Sequence, residues 1–460
     1  MLTRTANRDT RTSFWPRVRE FAVPPSMIET ATARRLAGDW AGACAAAGFD
    51  VDLQLRSVAR AHGHGLAALV RSDLRHLAPD LLRWHMPRIA PDGLLRPGLT
   101  LALARYETPG GDGGGPVHLV ARTPPAWADG GQRISLALWD GSPDSAGDRR
   151  HPHPRPSRRF RLDLHRHLWD ARRTEELRVR SGADRELPDG PPLVPDPPGR
   201  RCAVDRWAAE AAILLRAEGR TTGTITVRLG ARHRLALDLA GDRDGPGPPV
   251  PRITAVSDGP VSMLPVLPDA ATWVLPDLEL IRTGSVEAGL LHPLVARALV
   301  PEHTPAGSPL IPGPPGQPRF VECRGARHRV GLVDGVLVPL DHDPAEIRRE
   351  ELLAALGGTP LPCLRFIDRA HRHPECLTGV RERLHHGDTA GALAIVEGLL
   401  GPGAVLRGGA LRDELEAAAQ RRIAYGLFRA GLAGPAPRGS RPVRRRPRDL
   451  RSRPRHAFLR

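Results

Sequence analysis

From Leu99 onward the apolar residues fall on alternate positions: Leu99, Leu101 and Leu103, then Val117 and Leu119, then Ile134, Leu136 and Leu138. A period of two predicts β-strands with one buried face each. Phe160, Leu162 and Leu164 continue it and predict a further strand over residues 160–167. Ahead of this region the spacing is helical. Ser26 caps a helix through Ile28, Ala31 and Leu36 to Gly38, and Asp39 opens another through Ala47. Residues 53–86 hold one or two more, with an apolar stripe of Leu66, Leu69, Val70, Leu74 and Leu77 interrupted at Pro79 and stopped at Pro87.

Two hairpins follow an amphipathic helix built on Val204, Trp207, Ala208, Ala211 and Leu215 and ended by Gly219. In the first, Gly230-Ala231-Arg232-His233-Arg234 joins residues 224–229 to Leu235, Leu237 and Leu239. The same five letters recur as Gly325-Ala326-Arg327-His328-Arg329 within residues 319–340, where an Asp334-Gly335 turn leads into Val336-Leu337-Val338. Asp343-Pro344-Ala345-Glu346 then starts a helix, with N-cap, N1 proline and a first-turn carboxylate. From there to Gly431 the chain reads as helical.

This order predicts an α+β fold: helical N- and C-terminal segments around a central antiparallel, hairpin-rich β region. The expected divisions are a flexible arm over 1–22, a helical domain over 23–92, a β-rich domain over 95–182, an α+β domain with the two similar hairpins over 200–345, a helical domain over 346–433 and a disordered Arg-rich tail over 434–460. Pro/Gly-rich segments near 183–200, 241–252 and 301–318 separate the middle parts, as loops or linkers. The joint Leu384-His385-His386-Gly387-Asp388-Thr389 parallels Leu36-Ala37-Gly38-Asp39-Trp40, and the likeness predicts that the terminal helical segments pack near one another. Residues 387–402 resemble locally the helix-turn-helix units of tetratricopeptide repeats, over less than a tenth of the chain and without their period of about 34 residues.

Charge changes this picture less than its size suggests. The formal net charge is +16 over 460 residues, yet all 67 basic residues are arginine and the single asparagine is Asn7, a pattern expected of a GC-rich genome. Residues 435–460 carry ten arginines against Asp449, which leaves +7 for everything before them. Cys44, Cys202, Cys323, Cys363 and Cys376 are scattered and odd in number, which fits reduced thiols. No stretch reaches about 18 uninterrupted apolar residues, and no apolar segment backs the arginines near the start, so the expected location is cytoplasmic and no membrane partner is expected.

The Arg-His-Arg hairpins are the first candidate site. Arg232 with Arg234, and Arg327 with Arg329, share a strand face by period two and form guanidinium forks suited to an anionic partner, while His233 and His328 face the other way. Asp163, His165 and His167 share a face if 160–167 is a strand, a spacing usable for a metal or for acid–base work. Cys363, His371, His373 and Cys376 form a Cys/His cluster, but on a predicted helix His371 and His373 face apart, so no metal site is nominated there. No catalytic set and no cofactor is implied, since nucleotide-loop, nucleophile-elbow and zinc-hydrolase patterns are missing.

The reading that follows is a non-catalytic cytoplasmic binding or adaptor protein with a protein partner. The alternative is nucleic-acid association through the tail, Arg444-Arg445-Arg446 in particular, and a second alternative is an enzyme of unrecognised family using the Asp163 face.

Overall fold

The computed structural model describes residues 14–107, 115–141, 151–185, 194, 196–197, 200–230, 233–239, 252–255, 264–302, 319–334, 336–356, 359–372, 377–401, 403, 405–406 and 408–433. The Arg-rich tail, Arg232, His373 and Cys376 lie outside them, as does most of each Pro/Gly-rich segment. The fold is α+β.

Helices α1 (Phe14–Phe21), α2 (Pro25–Leu36) and α3 (Trp40–Ala46) lead into the short strand β1 (Phe49–Val51), then α4 (Leu55–His76) and α5 (Pro79–His85). A small hairpin of β2 (Arg88–Ile89) and β3 (Leu94–Leu95) precedes β4 (Thr100–Tyr106), β5 (Val117–Arg122) and β6 (Ile134–Trp139). The sheet order is β1-β6-β5-β4, antiparallel except that β1 runs parallel to β6, with Phe49 opposite Ile134. The predicted stripe on α4 is buried at Leu66, Val70, Leu74 and Leu77, whereas Leu69 is exposed. Left-handed Gly63 breaks α4 into two pieces.

From Phe14 the segment read as an arm is helical and packed: Phe14 and Val18 join the first apolar core, with Trp84, Trp169 and the inner faces of β4, β5 and β6. Burying a large apolar side chain of this kind contributes roughly 1.5–3 kcal/mol, enough to hold a short helix that propensity alone would not.

After α6 (Glu176–Ser181), α7 (Val204–Ala217) lies against the sheet of β7 (Gly223–Arg228), β8 (Arg234–Leu239) and β9 (Arg252–Ala255). Their alternation is regular: Ile225, Val227, Leu235, Leu237 and Leu239 enter a second core with Trp207 and Leu215. Helices α8 (Asp269–Thr272), α9 (Pro276–Arg282) and α10 (Pro293–Leu299) follow, and Leu278, Leu280, Val295 and Leu299 return to the first core.

The third core forms between the hairpin sheet β10 (Arg319–Cys323), β11 (Ala326–Val333) and β12 (Val336–Pro339) and the helices α11 (Pro344–Ala355), α12 (Pro362–Arg372), α13 (Leu377–His386), α14 (Thr389–Leu400) and α15 (Ala410–Ala430). Asp343, Asp39 and Asp388 cap helices as their sequence context predicts, accepting from Ala345, Gly42 and Gly391 N–H.

The terminal segments meet. Arg83, buried in α5, donates to the carbonyls of Ala22 (2.9 Å), Gln132 (2.6 Å) and His386 (2.8 Å), tying the first sheet to α13. Arg17 of α1 pairs with Glu382 of α13 at 2.5 Å. The two similar joints are not equivalent in burial, since Leu36 is 76% exposed and Leu384 2%. Among the described residues no helix is long and apolar enough to cross a membrane.

Candidate functional site

A cavity of about 140 Å³ opens where the first and second cores adjoin. Four parts of the chain build it. Helix α1 supplies Trp15 and Arg19, the end of α5 and the β2 strand supply Trp84, His85 and Arg88, the turn after Ser157 supplies Arg159 and Arg161, and α6 to α9 supply Arg180, Arg206, Trp273 and Glu279. Nine arginines line it against two carboxylates, Asp269 and Glu279, so arginine dominates its wall.

Several of these charges are already matched. Arg19 donates to Asp277 at 2.7 Å and to the Trp84 carbonyl at 2.9 Å, and its guanidinium lies between the rings of Trp15 (5.0 Å) and Trp84 (4.3 Å). Trp84 Nε1 donates to the other Asp277 oxygen at 3.0 Å. Arg159 grips Asp269, and Arg180 grips Glu210, each through two hydrogen bonds.

Arg88 and Arg206 differ. Both are buried, and their hydrogen bonds go to backbone carbonyls: Gly93 and Arg83 for Arg88, Trp273 and Arg180 for Arg206. Carbonyl dipoles satisfy the terminal N–H groups without cancelling the charge, and the buried Arg88 Nε has no partner among the described residues. Burial, reinforced by the charges of Arg83 and Arg19, holds Arg88 well below the usual guanidinium range, and burial lowers Arg206 and Arg200 as well.

His85 and His167 complete the wall. Burial drives both well below the ordinary histidine range, Arg19 adding to the effect at His85 and His165 at His167. Burial thus favours the neutral form of both rings. His85 Nε2 and His167 Nδ1 are buried and have no hydrogen-bond partner among the described residues, polar capacity that a ligand can use. The site thus offers fixed cations, unused polar ring atoms and tryptophan faces.

A second depression, of about 300 Å³, adjoins this cavity and shares Arg159 with it. Arg158, Arg228 and Arg234 line it with Ser157 and Thr226. Arg228 and Arg234 are direct cross-strand neighbours, and burial together with the charges of Arg159 and Arg234 lowers Arg228.

The sequence-predicted sites are placed unevenly. Arg234 joins this arginine cluster, although its hairpin partner Arg232 lies outside the described residues. Arg327 is exposed and stacks over Phe320 at 4.9 Å, while Arg329 is occupied by Asp341 through three hydrogen bonds from its guanidinium. The second hairpin therefore does not present an open fork. As period two predicts, His328 turns to the opposite, inner side, against His342.

Residues 160–167 do not form the predicted strand. One bridge, Ala102 with Arg161, replaces a ladder, and a short 3-10 turn follows at Arg166–Leu168. Two side-chain contacts bend the chain there: Arg161 folds onto Asp163 at 2.7 Å, and Trp169 Nε1 donates to the Leu162 carbonyl. Asp163 is consequently held by Arg161 while His165 Nε2 reaches Glu210 at 3.1 Å, and the Asp163, His165 and His167 donor atoms do not converge on a common point. Cys363 sits buried at the start of α12, and of the rest of that cluster the His371 side chain lies outside the described residues, as do His373 and Cys376.

No protein-family model, curated protein or solved structure matches this chain. The functional reading rests on the site itself.

Sequence reasoning missed Arg19, Arg88 and Arg206. The one local signal is the run Arg83-Trp84-His85-Met86-Pro87-Arg88, in which two arginines interrupt a helix end that is otherwise apolar and aromatic. Among 67 arginines that signal carries little contrast.

Proposed function

We propose that the chain is a non-catalytic binding protein whose ligand is a small organic polyanion, a phosphate- or polycarboxylate-bearing molecule with a planar or aromatic part. One observation carries this reading: the buried guanidinium groups of Arg88 and Arg206 have carbonyl partners only, in a cavity walled by Trp15, Trp84 and Trp273. A bound anion supplies the counter-charge that Arg88 lacks through charge-assisted hydrogen bonds, and its planar part lies against the tryptophan surface that Arg19 and Arg200 leave uncovered. The adjoining arginines, Arg158, Arg228 and Arg234, extend the attraction to a second anionic group.

The test is calorimetric titration and thermal shift with nucleoside mono- and triphosphates, inorganic phosphate and citrate, on the full chain, on Arg88→Met, and on a truncation after Gly434. Every residue lining the cavity precedes position 280. Tight binding that survives truncation and falls at least tenfold in Arg88→Met supports the cavity as the site. Binding that disappears with residues 435–460 moves function to the tail, and absence of any anion effect at low salt removes the proposal.

A further inference from the structure

The third core contains a second cluster, unrelated to the arginine cavity. Cys323 ends β10, His342 lies just past β12, and Cys363 is the second residue of α12. The Cys323 and Cys363 sulfurs and a ring nitrogen of His342 all lie within 4.8 Å of one another. Cys323 is 1% exposed, Cys363 0% and the His342 side chain 4%. Both cysteines are free thiols.

The local chain is shaped to hold this geometry. Arg324 (φ 52°) and Gly325 (φ 81°) form a tight two-residue turn that pairs Cys323 with Ala326, the left-handed conformation expected of a type I′ hairpin. His342 precedes Asp343, whose carboxylate caps α11 at Ala345 N–H and so fixes the backbone beside the ring. The ring is fixed on two further sides. His328 stacks on it, with centroids 4.2 Å apart and planes at 18°, and its Nδ1 lies 3.6 Å from a Glu346 carboxylate oxygen. Its Nε2 is buried and has no hydrogen-bond partner.

A histidine with one nitrogen toward a carboxylate and the other bare, its ring beside two thiols, is the arrangement a metal-ligating imidazole takes. We propose that Cys323, His342 and Cys363 bind a soft divalent cation, zinc by the chemistry of the donors. Two thiolates and a neutral imidazole suit zinc with sulfur and nitrogen distances of about 2.3 and 2.0–2.1 Å. Tetrahedral angles then place the donors roughly 3.5–3.8 Å apart, so the cluster contracts by at most about an ångström on binding. Two thiol protons leave as the ion enters, and the two thiolates cancel its charge, so the filled site is neutral in an apolar surround. The fourth position of the ion is open to water or an anion. Binding staples the β10–β12 sheet to α12, and Glu346 acts as a positioning residue that orients the ring.

The deciding experiment measures zinc in the full chain purified without added metal, then replaces it with cobalt and records the absorption spectrum. About one zinc per chain, together with thiolate-to-cobalt charge-transfer bands, is the expected result. Cys363→Ser and Cys323→Ser lose both, Cys44→Ser and Cys202→Ser lose neither, and Glu346→Gln weakens zinc affinity by about 10- to 100-fold. A chain that takes up neither metal overturns the proposal, as does a mass lighter by two hydrogens that maps to a Cys323–Cys363 disulfide, or zinc retained at full stoichiometry in Cys363→Ser. Should the serine variants fail to fold, the wild-type zinc content and cobalt spectrum decide the question alone.

Discussion

The Tyr425 hydroxyl, near the end of the last helix, donates to the carboxylate of Asp50 in the first sheet, 375 residues earlier. Arg133 grips the same carboxylate, and Arg429, one turn beyond Tyr425, pairs with Asp52. Burial alone pushes the Asp50 carboxyl upward, but the bonds from Arg133 and Tyr425 outweigh it and hold Asp50 below the usual range. The pair clamps α15 to the edge strand β1. Tyr425→Phe removes one donor to a charged acceptor and is expected to cost about 1.5–3 kcal/mol, read as a lower urea midpoint with an unchanged slope.

Gly387 is a second clamp. Its φ is +88°, and a β-carbon there would stand 2.0 Å from the Gly131 carbonyl oxygen. Gly387→Ala therefore meets both a left-handed backbone and a collision with main chain that cannot swing aside. The expected result is a loss of several kcal/mol, about 3 or more, and faster hydrogen exchange at α13 and β6 together. Gly403→Ala, left-handed but with open space around it among the described residues, should cost only about 1 kcal/mol.

Acid should weaken the contact between the first two cores. Burial raises Glu210, but hydrogen bonds from His165 and Arg180 pull it down to about 2. A carboxylate depressed in the folded state contributes stability that is complete above its unfolded value of about 4.3 and is lost as pH falls through the folded value. The window is therefore about pH 4.5 down to pH 2, and the contribution at stake is on the order of 3 kcal/mol. Denaturant titrations at several pH values should show a steeper acid decline for the native chain than for Glu210→Gln. Parallel curves would remove Glu210 as the cause.

The Arg19–Asp277 pair is buried on both sides, and Asp277 also receives Trp84 Nε1. Removing one charge leaves the other stranded, at a cost of about 3–5 kcal/mol. Asp277→Asn is expected to lower thermal stability sharply, and the double change Arg19→Met with Asp277→Asn should recover part of it, as a thermodynamic cycle would show.

Much of the fold was legible because it obeys local rules. Period two marked Ile225, Val227, Leu235 and Leu237 as inward-facing, and Gly-Asp joints marked the caps at Asp39 and Asp388. Residues 160–164 misled because their alternation is real while their pairing with the edge strand β4 stops at one bridge, Ala102 with Arg161. Phe160 and Leu162 are buried, but they lie in a turn held by side-chain bonds to the backbone. The arginine cavity was not legible. Its arginines run from position 19 to 206 and its whole lining from 15 to 279, and nothing local separates Arg88, bonded to carbonyls inside the protein, from an arginine in water. Cys323, His342 and Cys363 are likewise separated by 18 and 20 residues, far beyond the short loops that betray a metal site on one stretch of chain.

The first core draws on residues 14–177 and again on 278–299, with the whole of the second core encoded between them. A chain emerging from the ribosome cannot finish its first core in the order in which it is made. Arg19 waits for Asp277, and Asp80 waits for His292, with which it pairs at 3.0 Å in the finished protein. Through the intervening stretch of synthesis, ten or more seconds at about 5–20 residues per second, the apolar faces destined for α9 and α10 stand uncovered. The first core is therefore closed only when the return segment arrives.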